Sequence, residues 1–266
     1  MRSPVHVAIV QMNSTSDSPL ELASQVEARL AKLPEGVSLV ILPELWTVSR
    51  FDESLPGKER FSPSILCRLA TWAREHLCAV HCGSLPWEAG NHLVNRTFFV
   101  GEDGNTVASY DKAHLIPMMN ETTFFKPGDG GSLFLWQGIV CGNAICYDIR
   151  FPEFIRGITL AGARVLLIPA AWPESRIGHW RTLLQARAIE NQVFVIACNR
   201  NGLSGETLFG GHSMAIAPDG AILAEAGTGD ETLLVEIDPL EVDRVRKAFP
   251  VLESRRRSLY SLVSSI

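Results

Sequence analysis

Positive charge, long apolar runs and cysteine are all in short supply in this chain. Lys and Arg number 24 against 29 Asp and Glu, a net charge of −5 with histidine neutral. Phosphate backbones attract proteins through a concentrated positive field, so no nucleic-acid partner is expected. The short run Arg255-Arg256-Arg257 reads as a solvated face near the C-terminus. No uninterrupted apolar segment approaches the roughly 20 residues needed to cross a bilayer, so no membrane role is expected. The stretch Val7 to Val10 is broken by Gln11 and Asn13 too early for the apolar centre of a signal peptide, which points to the cytoplasm. Six cysteines in 266 residues are too few for a disulfide scaffold and fit a reducing compartment. Cys78-Ala-Val-His81-Cys82 lies in a strand-like run with no second ligand pair at zinc spacing, so no metal is expected.

What is present is a hydrophobic fraction of 46% with 20% charged residues, enough to build one domain over residues 1–266. His6 to Met12 reads as a buried strand, Leu20 to Leu33 as a helix started by Ser16-Asp-Ser-Pro19, and Ser38 to Leu42 as a second strand. A helix over 63–76, a strand over 79–83 and a hairpin around Gly101-Glu-Asp-Gly-Asn105 complete the first half. The second half repeats the pattern. Strands are expected at 139–145, 165–168 and 193–197, helices at 152–161 and 179–190, and a hairpin at Pro218-Asp-Gly220. Two similar halves, each closed by a hairpin, favour a layered α/β sandwich of mixed sheets over an all-parallel barrel. After Asp238-Pro239 a last helix leads to a tail, 249–266, without helical repeat but carrying Val251, Leu252, Leu259, Tyr260 and Leu262. Such a tail docks on its own body or crosses to a partner subunit.

Three chemically capable residues fall at strand ends, where α/β folds place their sites. Cys146 follows the apolar run Ile139 to Ile145, Glu44 ends Leu39-Val-Ile-Leu-Pro43, and Lys112 ends a hairpin strand. Singly, each has an ordinary explanation as a buried thiol, a cap or a surface cation. Together they suit acyl transfer, which needs a thiol, an ammonium that favours the thiolate and a carboxylate that accepts the proton.

Leu42-Pro-Glu44-Leu-Trp46, Tyr110-Asp-Lys112-Ala-His-Leu115 and Cys146-Tyr-Asp-Ile-Arg-Phe-Pro-Glu153 resemble the three signature segments of the nitrilase, or carbon-nitrogen hydrolase, superfamily. The resemblance spans most of the chain. Ala8-Ile-Val-Gln-Met12, Arg187-Ala-Ile-Glu-Asn191, Gly211-His-Ser213 and Phe249-Pro250 follow it in order. It implies an αββα sandwich that dimerises into an αββα-αββα assembly, a Glu44-Lys112-Cys146 triad, and neither metal nor organic cofactor. It also implies that Glu121 orients substrate and Lys112, and that the backbone N–H of Tyr147 joins Lys112 in holding an oxyanion. Outside the family, Glu121 would be a solvated loop charge.

Gly211-His-Ser213-Met-Ala215 comes near a serine-hydrolase elbow, but that elbow must open a helix and a strand follows here. Within the superfamily, the flanks of Cys146 with Trp172-Pro and His179-Trp180 resemble the omega-amidase branch, whose small-molecule substrates are 2-oxoglutaramate and similar 2-oxo acid monoamides. Arg150 is the expected clamp for a substrate carboxylate, the competing reading being an ion pair with Asp148 or Glu153. Trp46 and Trp172 are candidate pocket walls, with core packing the alternative. The other functional readings are an N-carbamoyl amino acid amidohydrolase and a non-catalytic binding protein on the same fold.

Overall fold

A computed structural model describes residues 4–49 and 55–260. In chain order the first half forms β1 (Val5–Gln11), α1 (Pro19–Leu30), β2 (Leu39–Ile41), α2 (Ser62–His76), β3 (Ala79–His81), β4 (Leu85–Ala89), β5 (His92–Val100), β6 (Thr106–Asp111) and α3 (Glu121–Phe124). Then come β7 (Ser132–Trp136), β8 (Ile139–Asn143), α4 (Pro152–Leu160), β9 (Val165–Ala170), α5 (Ile177–Asn191), β10 (Phe194–Asn199), β11 (Asn201–Ser204) and β12 (Thr207–Gly210). The chain finishes with β13 (Met214–Ile216), β14 (Ile222–Glu225), β15 (Glu231–Ile237), α6 (Glu241–Ala248) and α7 (Arg257–Tyr260).

Two mixed sheets result, one ordered β15-β1-β2-β3-β5-β4 with β6 on β5, the other β14-β13-β10-β9-β8-β7. Period-2 alternation decides which side chains meet. Val5, Val7 and Ile9 of β1, with Leu39 and Ile41 of β2, face Val165, Leu167, Phe194 and Ile196 of the other sheet. Their neighbours Ala8, Val10, Val40 and Leu42 face outward onto Leu22, Val26 and Leu30 of α1 and Ile65 and Leu69 of α2. On the opposite outer face Leu166, Ile168, Val195 and Ala197 pack against Ile155 and Ile158 of α4 and Trp180, Leu184 and Ala188 of α5. The layers are therefore α, β, β, α, as expected. Strands buried on both faces explain the near-continuous apolar runs in the sequence. β15 returns from the second half to pair antiparallel with β1, Val7 opposite Val235, tying the ends of the chain to one sheet.

Helix α1 starts as its sequence suggests. Ser18 caps it by accepting from the Glu21 N–H, and Pro19 occupies the first turn. Strands β4, β7, β11, β12 and β15 were not foreseen. Of the tail, 261–266 with Leu262 lies outside the described residues. Its nearer part is tied to the body, since Gln192 Nε2 donates to the Phe249 carbonyl at 2.7 Å.

Candidate active site

The site forms where the carboxyl ends of β2, β6, β8 and β9 converge. The Glu44 N–H donates to the Ala170 carbonyl at 3.3 Å, which joins the end of one sheet to the end of the other. Glu44, Lys112 and Cys146 are each 1% exposed and Glu121 is 3% exposed. Lys112 Nζ donates to Glu44 Oε1 at 2.8 Å and to Glu121 Oε1 and Oε2 at 2.7 and 2.9 Å. Neutral donors add to these contacts. Asn95 Nδ2 donates to Glu44 Oε1 at 2.8 Å, the Ala171 N–H to Glu44 Oε2 at 2.8 Å, and the Ile116 N–H to Glu121 Oε2 at 2.7 Å. Glu121 is thus no solvated loop charge; its short helix turns it inward.

These contacts set the charges. Burial works against the Lys112 ammonium, yet the carboxylates of Glu121 and Glu44 outweigh it and lift its pKa well above the usual lysine value. Burial raises Glu121 although Lys112 opposes it. For Cys146, burial and then the Glu44 carboxylate push the thiol well above its usual value, against the pull of Lys112. The ammonium alone therefore does not leave a resting thiolate here. Cys146 rests as a thiol, and a base must take its proton as it attacks.

Cys146 begins a 3-10 turn, Cys146–Arg150, and holds φ of +47°, a conformation that costs a non-glycine residue about 1 kcal/mol or more. Asp148 clamps that turn. Its Oδ2 accepts from the Ile145 N–H at 2.7 Å and the Tyr110 hydroxyl at 2.8 Å, and its Oδ1 accepts from the His114 N–H at 3.0 Å. His114 Nδ1 adds a contact at 2.8 Å to the same oxygen, and its ring stacks on Phe151 at 3.7 Å. Tyr110 and His114 thus brace the nucleophile from inside the segment that carries Lys112. They were quoted in the sequence motifs, but nothing in their spacing announced this task.

Above Cys146 opens a cavity of about 210 Å³ walled by Tyr147, Arg150, Trp172, Arg176, His179, Met118 and Met119 among others, with no Asp or Glu among the described residues of its lining. Arg150 does not pair with Asp148 or Glu153; among the described residues it forms no ion pair. Its guanidinium lies 4.6 Å from the Trp172 ring and 5.8 Å from the Tyr147 ring, with Nη2 3.4 Å from His179 Nδ1. Trp172 is a wall, fixed by its indole N–H to the Arg176 carbonyl at 2.8 Å. Trp46 is not. It is buried in the layer against α1 and α2 and donates to the Cys82 carbonyl at 2.8 Å.

Ser213 is fully buried ahead of β13, and its Oγ accepts from the Asn199 N–H at 2.9 Å, so it is no exposed nucleophile. His81 lies between the sheets, its Nε2 3.2 Å from both Asn143 Oδ1 and Thr97 Oγ1. Burial lowers its pKa to about 4, and it stays neutral.

The model of the carbon-nitrogen hydrolase family matches residues 6–247. The 2-oxoglutaramate amidase of Bacillus subtilis is 36% identical over 258 residues, covering 96% of this chain and 98% of that one. A carbon-nitrogen hydrolase from Helicobacter pylori superposes with a TM-score of 0.90 at 25% identity, covering 99% of both chains. A mutant amidase from a Nesterenkonia species, which carries the acetamide moiety of fluoroacetamide added covalently at its active-site cysteine, superposes with a TM-score of 0.84 at 25% identity, covering 97% of this chain and 95% of that one.

Proposed function

The chain belongs to the carbon-nitrogen hydrolase family and is a hydrolase of amides, and from that premise we propose that its substrate is 2-oxoglutaramate or a similar 2-oxo acid monoamide. The observation that carries the substrate assignment is Arg150, a planar cation that, among the described residues, has no acidic partner and stands on the wall of a cavity whose lining includes no Asp or Glu. A carboxylate is the group such a fork binds in two parallel hydrogen bonds. The likeness to an amidase of 2-oxoglutaramate supports it.

In this reading Cys146 is the nucleophile, Glu44 the general base, Lys112 the oxyanion partner and Glu121 the residue that orients both Lys112 and the substrate. Glu44 takes the thiol proton as Cys146 Sγ bonds to the amide carbon. The carbonyl oxygen becomes an oxyanion between Lys112 Nζ and the Tyr147 N–H, each donor worth about 3 kcal/mol in such sites. Collapse breaks the carbon–nitrogen bond, and Glu44 returns the proton to the departing ammonia. The thioester left on Cys146 is then attacked by water, whose proton goes to Glu44. The acid departs and the thiol is restored. Tyr147, Arg150 and Trp172 form the substrate-binding wall.

We also place the protein in the cytoplasm as a homodimer or higher homo-oligomer. Six free cysteines support the compartment. Exposed Leu160, Ile189, Phe249 and Leu259 on α4, α5 and the tail support a partner subunit.

The test is ammonia release from 2-oxoglutaramate, glutamine, a simple aliphatic amide, an N-carbamoyl amino acid and a nitrile, with Cys146→Ala alongside. The expected result is fastest turnover of the oxo acid amide and an inactive variant. Turnover of the carbamoyl compound instead would move the substrate to that class. Full activity of Cys146→Ala would remove the nucleophile, and no turnover of any amide would leave a binding role.

A further inference from the structure

Glu44 and Lys112 follow different strands and share one neighbour. Asn95 lies on β5 with Thr97 and Phe99 on the same face, the one turned to the other sheet, where Phe99 packs on Phe134 of β7. It is fully buried. Its backbone carbonyl accepts from the Lys112 N–H at 2.9 Å, and its side-chain Nδ2 donates to Glu44 Oε1 at 2.8 Å. The nitrogen end of the amide must face Glu44, because an ionised carboxylate only accepts. Asn95 Oδ1 is then left without a donor among the described residues, and an unsatisfied buried acceptor is destabilising. The side chain is thus held for its N–H, at a cost to stability.

The two oxygens of Glu44 are unequal as a result. Oε1 accepts from both Lys112 Nζ and Asn95 Nδ2, each at 2.8 Å. Among the described residues Oε2 accepts from the Ala171 N–H at 2.8 Å, the same N–H that, against the larger effect of burial, favours the thiolate of Cys146. Each carboxylate oxygen has two lone pairs, so those of Oε1 are taken and one on Oε2 stays open, on the side that Glu44 and Cys146 share through Ala171. Lys112 alone does not fix the plane of the carboxylate, because an ammonium is a compact charge with rotatable donors. A planar amide seated on a strand does.

We propose that Asn95 is a positioning residue that selects the working oxygen of the base: with Lys112 it fills Oε1 of Glu44, and so leaves Oε2 to take the proton of the Cys146 thiol and later that of the attacking water. The inference deepens the reading of Glu44 as the base and rests on it.

The experiment compares wild type, Asn95→Ala and Asn95→Asp by kcat and KM across pH, and by the rate at which iodoacetamide alkylates Cys146, followed on that peptide by mass spectrometry. In Asn95→Ala, kcat should fall about a hundredfold with KM little changed, and alkylation of Cys146 should slow in parallel. Asn95→Asp keeps the shape but lacks the donor while its carboxyl is ionised. A protonated carboxyl donates as the amide does, so the ratio of its kcat to that of wild type should climb as pH falls, while the ratio for Asn95→Ala stays level. Either variant decides alone if the other does not fold. An Asn95→Ala enzyme within about twofold of wild type in kcat and alkylation rate, a loss confined to KM, or a level ratio for Asn95→Asp overturns the proposal and leaves Asn95 a packing residue. Absence of amide hydrolysis in the wild type would instead remove the proposed function, and the alkylation rates would still decide the role of Asn95.

Discussion

The floor of the cavity and its mouth obey opposite rules. On the floor, Glu44, Lys112 and Glu121 are closed to water and each charged oxygen has a donor within 2.9 Å. At the mouth, Arg150, Arg176 and His179 are open to solvent to different degrees and have no acidic partner among the described residues of the lining. Buried groups held in this way are preorganised: they hold geometry and cannot adapt to a new ligand. Unsaturated groups at the mouth have valences to offer. The floor is therefore where chemistry resides and the mouth where substrates are told apart, and substitutions at the two levels should separate kcat from KM.

The sharpest division comes from Glu44→Gln. The substitution keeps the shape and removes a base used in both half-reactions, so kcat should fall about ten-thousand-fold with KM little changed. A matching rise in KM would show that the floor also binds substrate strongly. Next is Glu121→Ala, which strips Lys112 of two contacts and leaves the Ile116 N–H without its acceptor. Breaking a buried pair in this way should cost about 4 kcal/mol of stability, read from urea unfolding. A loss under about 1 kcal/mol would mean that water reaches the floor.

A third effect lies deeper between the sheets. His81 has a folded pKa of about 4 against the usual 6.5. Below pH 6.5 the unfolded chain takes up a proton that the native state refuses, so stability falls as pH drops from 6.5 toward 4 and is level above. The contribution reaches about 3 kcal/mol at the acid end. His81→Gln should flatten that slope, and an unchanged slope would assign it to other groups.

Much of this arrangement was legible in the chain, for identifiable reasons. Runs such as Val5 to Gln11 and Val165 to Ala170 are apolar because both faces of each strand are covered, and Glu44, Lys112 and Cys146 interrupt apolar or extended segments at their ends. β4 was not legible, because Pro86 and Glu88 contradict a strand interior and are tolerated only at the edge of the sheet. β11 and β12 consist of four residues each around Gly205-Glu206, too short for periodicity to register. Asn95 and Asp148 were missed for another reason. Their partners lie 51 and 38 positions away in sequence, and a polar residue in a strand or turn does not reveal which buried group it faces. Trp46 and Trp172 show the same limit: one indole is core and the other a wall, and their local sequences do not distinguish them.

At the mouth, Arg150→Lys keeps the charge and loses the planar fork and its stacking on Trp172. KM for 2-oxoglutaramate should rise about tenfold, with kcat and the KM for a neutral amide nearly constant. Equal effects on both substrates would remove Arg150 as the carboxylate clamp.

The smallest change is expected from Arg176→Ala, although Arg176 lines the same cavity. Among the described residues its guanidinium has one weak polar partner, Met118 Sδ at 3.5 Å, and Met118 is itself 73% exposed. The cleft that adjoins the mouth on this side is lined by Glu174 and Glu206 beside Arg176, so opposing charge and solvent both weaken its field. A single substrate carboxylate therefore gains far more beside Arg150 on its aromatic backing, and Arg176→Ala should alter KM by less than about threefold, an effect that salt erases. A rise in KM as large as that of Arg150→Lys would break the comparison at its weakest point. It would mean that the mouth grips two anionic groups at once, and the substrate would then have to be an amide carrying a second carboxylate.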